Sequence, residues 1–188
     1  MYVMSDKIRQ KTNKKKVALS AKDCAYIAVF VAITIVLQLA FSALPGVELV
    51  TLLFVSFSFA FGVRRGMIAA TTFSLLRQIV FGVFPSVLIL YLLYFNLLTC
   101  VFGGLGKLVQ ASRKSLLILT LIACVCTVGF TFFDIMLTVF WYAYTPRAAQ
   151  AYFYASLPFM IPQIICVAVS MVVLFLPLVQ VFRWIKRA

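Results

Sequence analysis

Long apolar stretches recur along the whole chain, and they constrain the fold more than any other feature of the sequence. Six stretches, separated by turn signals or basic residues, span residues 24–44, 47–63, 67–84, 85–105, 115–144 and 155–182. A helix of about 20 residues crosses a hydrocarbon core of roughly 30 Å. Apolar residues make up 65% of the chain, against about 45–50% in soluble domains. The pattern predicts an all-α membrane protein with six transmembrane helices.

The basic residues fall almost entirely on one side of these six spans. Seven lie in the N-terminal tail that ends at Lys22, two lie between spans two and three, three lie between spans four and five, and three follow span six. The opposite side carries only Arg147. Cytoplasmic loops are enriched in Lys and Arg, so both termini are predicted to be cytoplasmic. We interpret residues 1–22 as a basic cytoplasmic tail and residues 23–188 as the transmembrane domain.

The distribution of charge and the absence of histidine exclude several functions. The net charge of +13 is explained by topology and attraction to anionic lipid rather than by nucleic acid. The chain has no histidine and four acidic residues, which leaves no basis for imidazole catalysis or a His-ligated metal. No Walker-type phosphate loop is present. We therefore expect neither an enzyme, nor a bound metal or cofactor.

Four charged residues mark the part of the domain with polar chemistry. An ionised side chain near the bilayer centre costs about 2.5–3.5 kcal/mol, and Arg77 and Asp134 lie at similar depths inside spans three and five. They either form a buried ion pair that fixes helix packing or face a cavity for a polar ligand. Glu48 and Arg147 lie toward the outer surface, where each is either a solvated or helix-capping charge or a ligand contact.

Aromatic and amide side chains gather at the same outer end. Interfacial Trp and Tyr form belts in most membrane proteins, but the inner end has few of them. An outer loop of aromatic residues can stack on an organic ligand and hydrogen-bond its edges. The candidate ligand-binding residues are Glu48, Arg77, Asn96, Asp134, Trp141, Tyr142, Tyr144, Arg147, Tyr152 and Gln163.

A stripe of alanines follows one face of the first span. The spacing of 4, 3 and 4 places Ala21, Ala25, Ala28 and Ala32 on one side of a helix. Small residues at this spacing let a second helix approach closely. The partner is either another helix of this chain or a separate membrane subunit.

This organisation resembles the substrate-binding S component of energy-coupling factor (ECF) transporters. The resemblance rests on six short spans, the basic tail, the alanine stripe, and two segments near the second span, residues 45–54 (PGVELVTLLF) and 61–66 (FGVRRG). It implies a prokaryotic membrane protein that binds a vitamin near the outer surface. It also implies that the alanine stripe docks on a transmembrane coupling subunit served by two ATPases, which hydrolyse the ATP.

The resemblance leaves the vitamin open. The nickel and cobalt members carry an N-terminal histidine motif that this chain lacks, so the metal-importing branch is excluded. A broad aromatic pocket favours cobalamin first, and an unpaired Arg77 or Arg147 would favour pantothenate or folate. The alternatives to this function are a self-sufficient secondary transporter of a small organic solute and an assembly subunit that binds no ligand.

Overall fold

The structure, a computed structural model, describes residues 19–44 and 46–187 and is all-helical within them. Most of the basic tail therefore lies outside the described residues. In chain order the described helices are α1 (Ala21–Phe41), α2 (Val50–Phe61), α3 (Val63–Phe81), α4 (Pro85–Leu108), α5 (Arg113–Trp141) and α6 (Pro146–Arg187).

Local sequence signals account for where several of these helices begin. The backbone N–H of Ser20 donates to the carboxylate of Asp23 at the start of α1 (3.3 Å), an interaction that satisfies a free amide at a helix end. Pro85 occupies the first turn of α4, where its fixed φ and missing N–H suit a helix start. Gly62 separates α2 from α3 and has φ +88°. Residues with an L side chain rarely adopt that backbone conformation, which is why glycine suits this junction.

Helix α2 is the core of the bundle. All twelve of its residues are buried, and it packs mainly against α4 and α6. Its phenylalanines interlock with those of the surrounding helices: the rings of Phe57 and Phe30 stack at 4.1 Å, and the Phe54 ring lies 4.8 Å from that of Phe95. The second apolar stretch of the sequence is thus covered by protein and not by lipid.

Four helices, α1, α4, α5 and α6, are long and apolar enough to cross a membrane. Their outward faces are themselves apolar, with Leu97 of α4 and Phe140 of α5 61% and 82% exposed, as expected for a surface in contact with lipid. Helix α2, with 12 residues, is about 18 Å long and shorter than a hydrocarbon core. The six predicted spans correspond to six described helices, of which four have the length and hydropathy of a span.

Two helix boundaries differ from the sequence prediction. Helix α3 begins at Val63, so the two arginines expected in a loop, Arg64 and Arg65, lie in its first turn. Helix α6 begins at Pro146 rather than near residue 155, and it continues through three internal prolines for 42 residues. The aromatic segment expected in an outer loop, residues 152–154, is therefore helical. Pro146 stands at the first position of this helix, where its fixed φ and missing N–H suit a helix start.

The bundle has two chemically different ends. At the basic end, Arg65 forms an ion pair with Asp23 (Nε–Oδ1, 2.9 Å), and Lys186 donates from Nζ to the carbonyl of Ala60 (2.9 Å). Helix α4 passes close to the α2–α3 junction there, since a Cβ on Gly103 would lie 2.6 Å from the backbone nitrogen of Val63. At the opposite end, which we call the cavity end, α1 ends at Phe41 and residues 46–49 lead into α2.

Candidate functional site

A cavity of about 350 Å³ opens at the cavity end. Its wall is formed by the end of α1, the segment that leads to α2, and parts of α3 to α6. Most of the lining is apolar, and six residues with polar side chains, from five parts of the chain, line it: Gln38, Ser42, Glu48, Arg77, Tyr91 and Gln163. We call this space the first cavity. Few convergent polar groups in a largely apolar cleft are typical of a small-molecule site.

Glu48 ties the segment before α2 to α6. Its carboxylate accepts a hydrogen bond from Nε2 of Gln163 and a second from Oγ1 of Thr51 (3.1 Å). The Cys166 thiol donates to the Glu48 carbonyl (Sγ–O, 3.8 Å). Gly46 makes the close approach feasible, because a Cβ at this position would lie 2.6 Å from Cβ of Pro162. These contacts hold the wall of the cavity against α6.

Arg77 lies over two aromatic rings of the first cavity. Its guanidinium carbon is 4.2 Å from the centroid of Tyr91 and 4.8 Å from that of Phe81, distances at which a cation is attracted to a ring face. Its Nε is buried without a hydrogen-bond partner. A buried, unpaired donor on a charged group is costly and is ready to bind an acceptor.

Gln38 provides an unpaired hydrogen-bond acceptor that complements the unpaired donor of Arg77. Its Nε2 donates to the hydroxyl of Tyr91 (3.1 Å), which fixes the orientation of the amide. The amide oxygen, Oε1, is buried and has no hydrogen-bond partner. The first cavity thus contains one unused donor and one unused acceptor, both held by contacts to the side chain of Tyr91.

A second cavity of about 310 Å³ lies between α5 and α6. The hydroxyl of Tyr152 donates to Asp134 there (O–O, 3.1 Å). Phe130 and Gln163 line both cavities, so the two spaces are neighbours. Within the described part of the chain no ion pair joins Arg77 to Asp134. The sequence allowed two interpretations of these charges, an ion pair or two groups that face a cavity. The structure places Arg77 at the first cavity and Asp134 at the second.

The remaining candidate residues lie elsewhere. Asn96 bonds within the helix packing, where its Nδ2 donates to the carbonyl of Leu92 (2.7 Å) and to Oγ1 of Thr71 (3.2 Å). The other four are exposed around the α5–α6 turn and line neither cavity: Trp141, Tyr142, Tyr144 and Arg147. The Tyr144 ring lies 6.1 Å from that of Tyr152, which connects this exposed group to the second cavity.

The structure adds cavity residues that the sequence analysis did not select. Gln38 is a polar residue in the apolar run of α1, a signal that the cost of polar groups in a membrane makes informative. Tyr91, Phe81 and Phe130 line the first cavity but resemble the many other aromatic residues of the chain. Only their position in the fold distinguishes them.

The alanine stripe lies on the outer surface of the described bundle. Ala21, Ala25, Ala28 and Ala32 are all exposed, whereas Ile27 and Val31 on the adjoining face of α1 are buried. The sequence allowed two partners for the stripe, another helix of this chain or a separate membrane subunit. In the described bundle the stripe does not pack against another helix.

Comparison with protein-family models, with curated proteins and with solved structures finds no match.

Proposed function

We propose that the chain is the membrane-embedded binding subunit of a vitamin uptake system of the ECF type. The observation that carries this proposal is the first cavity, where polar groups from five parts of an apolar bundle converge at one end. Keeping such groups inside a membrane domain is costly unless they serve packing or a ligand. Two of them, Arg77 and Gln38, each keep one buried polar atom without a hydrogen-bond partner.

The proposed topology places the basic end in the cytoplasm and the cavity end outside. Arg65, Arg183 and Lys186 lie at the basic end, in agreement with the preference of Lys and Arg for the cytoplasmic side. In this arrangement six helices cross a prokaryotic cell membrane and both termini are cytoplasmic. Helix α2, together with residues 46–49 before it, then forms the second crossing inside the bundle, screened from lipid by its neighbours.

The size of the first cavity bears on which vitamin is bound. About 350 Å³ is at the lower end of the range for ligand sites, roughly 300–1,000 Å³. This volume favours the smaller carboxylate vitamins, of which pantothenate is the first choice, over cobalamin. Cobalamin would require the first and second cavities to merge, with Gln163 displaced from between them.

The exposed alanine stripe supports docking on a separate membrane subunit. In a bilayer, helix association depends on close packing, and small residues allow backbones to approach. The proposed partner is a transmembrane coupling subunit, which carries the two ATPases. This chain would then bind the substrate and leave ATP hydrolysis to its partners.

Binding is tested by calorimetry of the purified protein alone against a panel of vitamins. We expect one tight ligand, whose binding is lost in Phe130→Trp because the larger ring occupies both cavities. Phe132→Trp is the matched control: Phe132 lies on the same helix and is 52% exposed, so binding should be unchanged. A flat panel on folded protein would refute the binding function and favour the secondary transporter or the ligand-free assembly subunit.

Docking is tested separately by uptake and co-purification. Ala28→Trp should abolish vitamin uptake and recovery of the coupling subunit while calorimetric binding stays at the wild-type level. Val125→Trp is the control, since Val125 is 63% exposed on α5, away from the stripe. Equal loss of uptake in both variants, or normal uptake in Ala28→Trp, would exclude the stripe as the docking face.

A further inference from the structure

We infer that the first cavity takes a small organic acid that also carries a hydroxyl or amide N–H close to its carboxylate. This inference rests on the proposed binding function and specifies the chemical class of its ligand. It follows from the two unused polar groups of the cavity and from the way in which Tyr91 holds both of them.

The acid is assigned to Arg77. The guanidinium carbon lies over the rings of Tyr91 and Phe81, and such ring contacts do not use the N–H donors, which lie in the plane of the group, as hydrogen bonds to a lone pair. The Nε on the edge of the guanidinium is buried and has no hydrogen-bond partner. A planar guanidinium edge matches the two oxygens of a carboxylate.

The protein does not supply that carboxylate itself. Glu48 lines the same cavity, but its two oxygens accept hydrogen bonds from Gln163 and Thr51. In the described ranges no ion pair joins Glu48 or Asp134 to Arg77. Arg77 is half-buried, and withdrawing a cation from water without a counter-ion is unfavourable, so an anionic ligand compensates a charge that the fold leaves open.

The hydroxyl or amide N–H is assigned to Gln38. Its Oε1 can only accept a hydrogen bond, and it is buried without a partner. Its amide is anchored on the Tyr91 hydroxyl, while Arg77 lies over the ring of the same side chain. The acceptor and the cation are therefore both placed beside the side chain of Tyr91, the first through its hydroxyl and the second over its ring. A ligand that satisfies both carries its donor a few bonds from its carboxylate.

The size of the cavity limits the rest of the ligand. With a volume of about 350 Å³, the first cavity accommodates a small acid and no extended ring system. Its apolar wall, which includes Leu37, Val47 and Phe130, suits an aliphatic or compact ring body. Small hydroxy and amido acids, pantothenate among them, belong to this class.

Matched pairs of an acid and its uncharged analogue test the assignment. Calorimetry on the purified full chain would use pantothenate against pantothenol and lactate against lactamide, because each of these acids carries a hydroxyl or amide N–H a few bonds from its carboxylate. For the pair that binds, we expect the acid to bind about 10- to 100-fold more tightly than its analogue, the range expected for hydrogen bonds to a charged group. This comparison requires no mutation and does not depend on the folding of a variant.

Variants then locate the contact. Arg77→Gln should remove the preference for the acid, and Arg77→Lys should retain part of it because the charge remains. Gln38→Leu should weaken the binding of the acid and of its analogue by a similar factor, since both ligands carry the hydrogen-bond donor. Arg147→Gln is the control for a general loss of positive charge at this end, and it should leave the preference unchanged.

The outcomes separate the inference from the proposed function. Tight binding of cobalamin or another vitamin with no binding of any acid, or equal binding of acid and analogue, overturns the inference and leaves the binding function in place. An acid preference that survives in Arg77→Gln overturns the assignment to Arg77. A protein that is folded and binds no member of the vitamin panel refutes the proposed function, and the inference with it.

Discussion

The contact between Gln163 and Glu48 should contribute measurably to stability, and Gln163→Leu is the perturbation that tests it. Leucine has nearly the same volume but no donor, so the Glu48 carboxylate would keep only the hydrogen bond from Thr51. A hydrogen bond to a charged group contributes about 1.5–3 kcal/mol. For a chain of this length each kcal/mol corresponds to about 2–4 °C in Tm, which gives an expected decrease of about 3–12 °C.

A double-mutant cycle isolates this contact from other effects of the substitution. In the Glu48→Gln background the lost hydrogen bond is between neutral groups, which contributes about 0.5–1.5 kcal/mol. Gln163→Leu should therefore lower Tm less in this background than in the wild type, with a coupling of about 1 kcal/mol or more. Thermal unfolding in a fixed detergent, followed for all four proteins, measures it. Additive shifts, or a Tm for Gln163→Leu within 1 °C of the wild type, would refute the link between residues 46–49 and α6.

Three further perturbations test other parts of the fold. Gly46→Ala should lower Tm by several degrees, because an L residue at φ +82° is strained by about 1–2 kcal/mol and its Cβ would collide with α6. Gly104→Ala is the control: a Cβ there meets no atom within 4 Å, so Tm should be unchanged or higher. Asp23→Asn should remove the ion pair to Arg65 and cost about 1 kcal/mol, and the difference from wild type should shrink in 1 M NaCl; a salt-independent difference would contradict an electrostatic origin. Phe54→Ala should cost about 3–5 kcal/mol, because the ring is fully buried in α2, and a stable variant with wild-type Tm would show that α2 is not the core.

The sequence predicted the helical elements well because hydropathy reports a strong and local preference. Each of the six apolar stretches corresponds to a described helix. Hydropathy cannot distinguish a segment buried by lipid from one buried by protein, and α2 is of the second kind. The start of α6 was missed for a related reason, since Pro146 and the polar residues after it resemble a loop until packing against α5 is known.

The candidate site was only partly predictable. Glu48, Arg77, Asp134, Tyr152 and Gln163 line the two cavities. Four of them were selected as polar groups in or beside apolar runs, whereas Tyr152 was selected as one of the outer aromatic residues.

The exposed aromatic residues of the α5–α6 turn were selected by type alone, and they lie outside both cavities. Asn96 carries the same polar signal as Gln163, yet it bonds to Thr71. The sequence alone does not show which neighbouring helix a polar group will face.

The burial of α2 has a consequence for the order in which the protein is assembled during translation. This helix is synthesised early, but two of the helices that cover it are α4 and α6, and α6 is the last described helix to leave the ribosome. Until then the twelve residues of α2, nine of them apolar, must rest against lipid, the insertion machinery or a chaperone. Ribosomes stalled before residue 146 should therefore carry nascent chains in which Phe57 is more accessible to crosslinking than in a chain that includes all of α6, and the bundle should close only once α6 has entered the membrane.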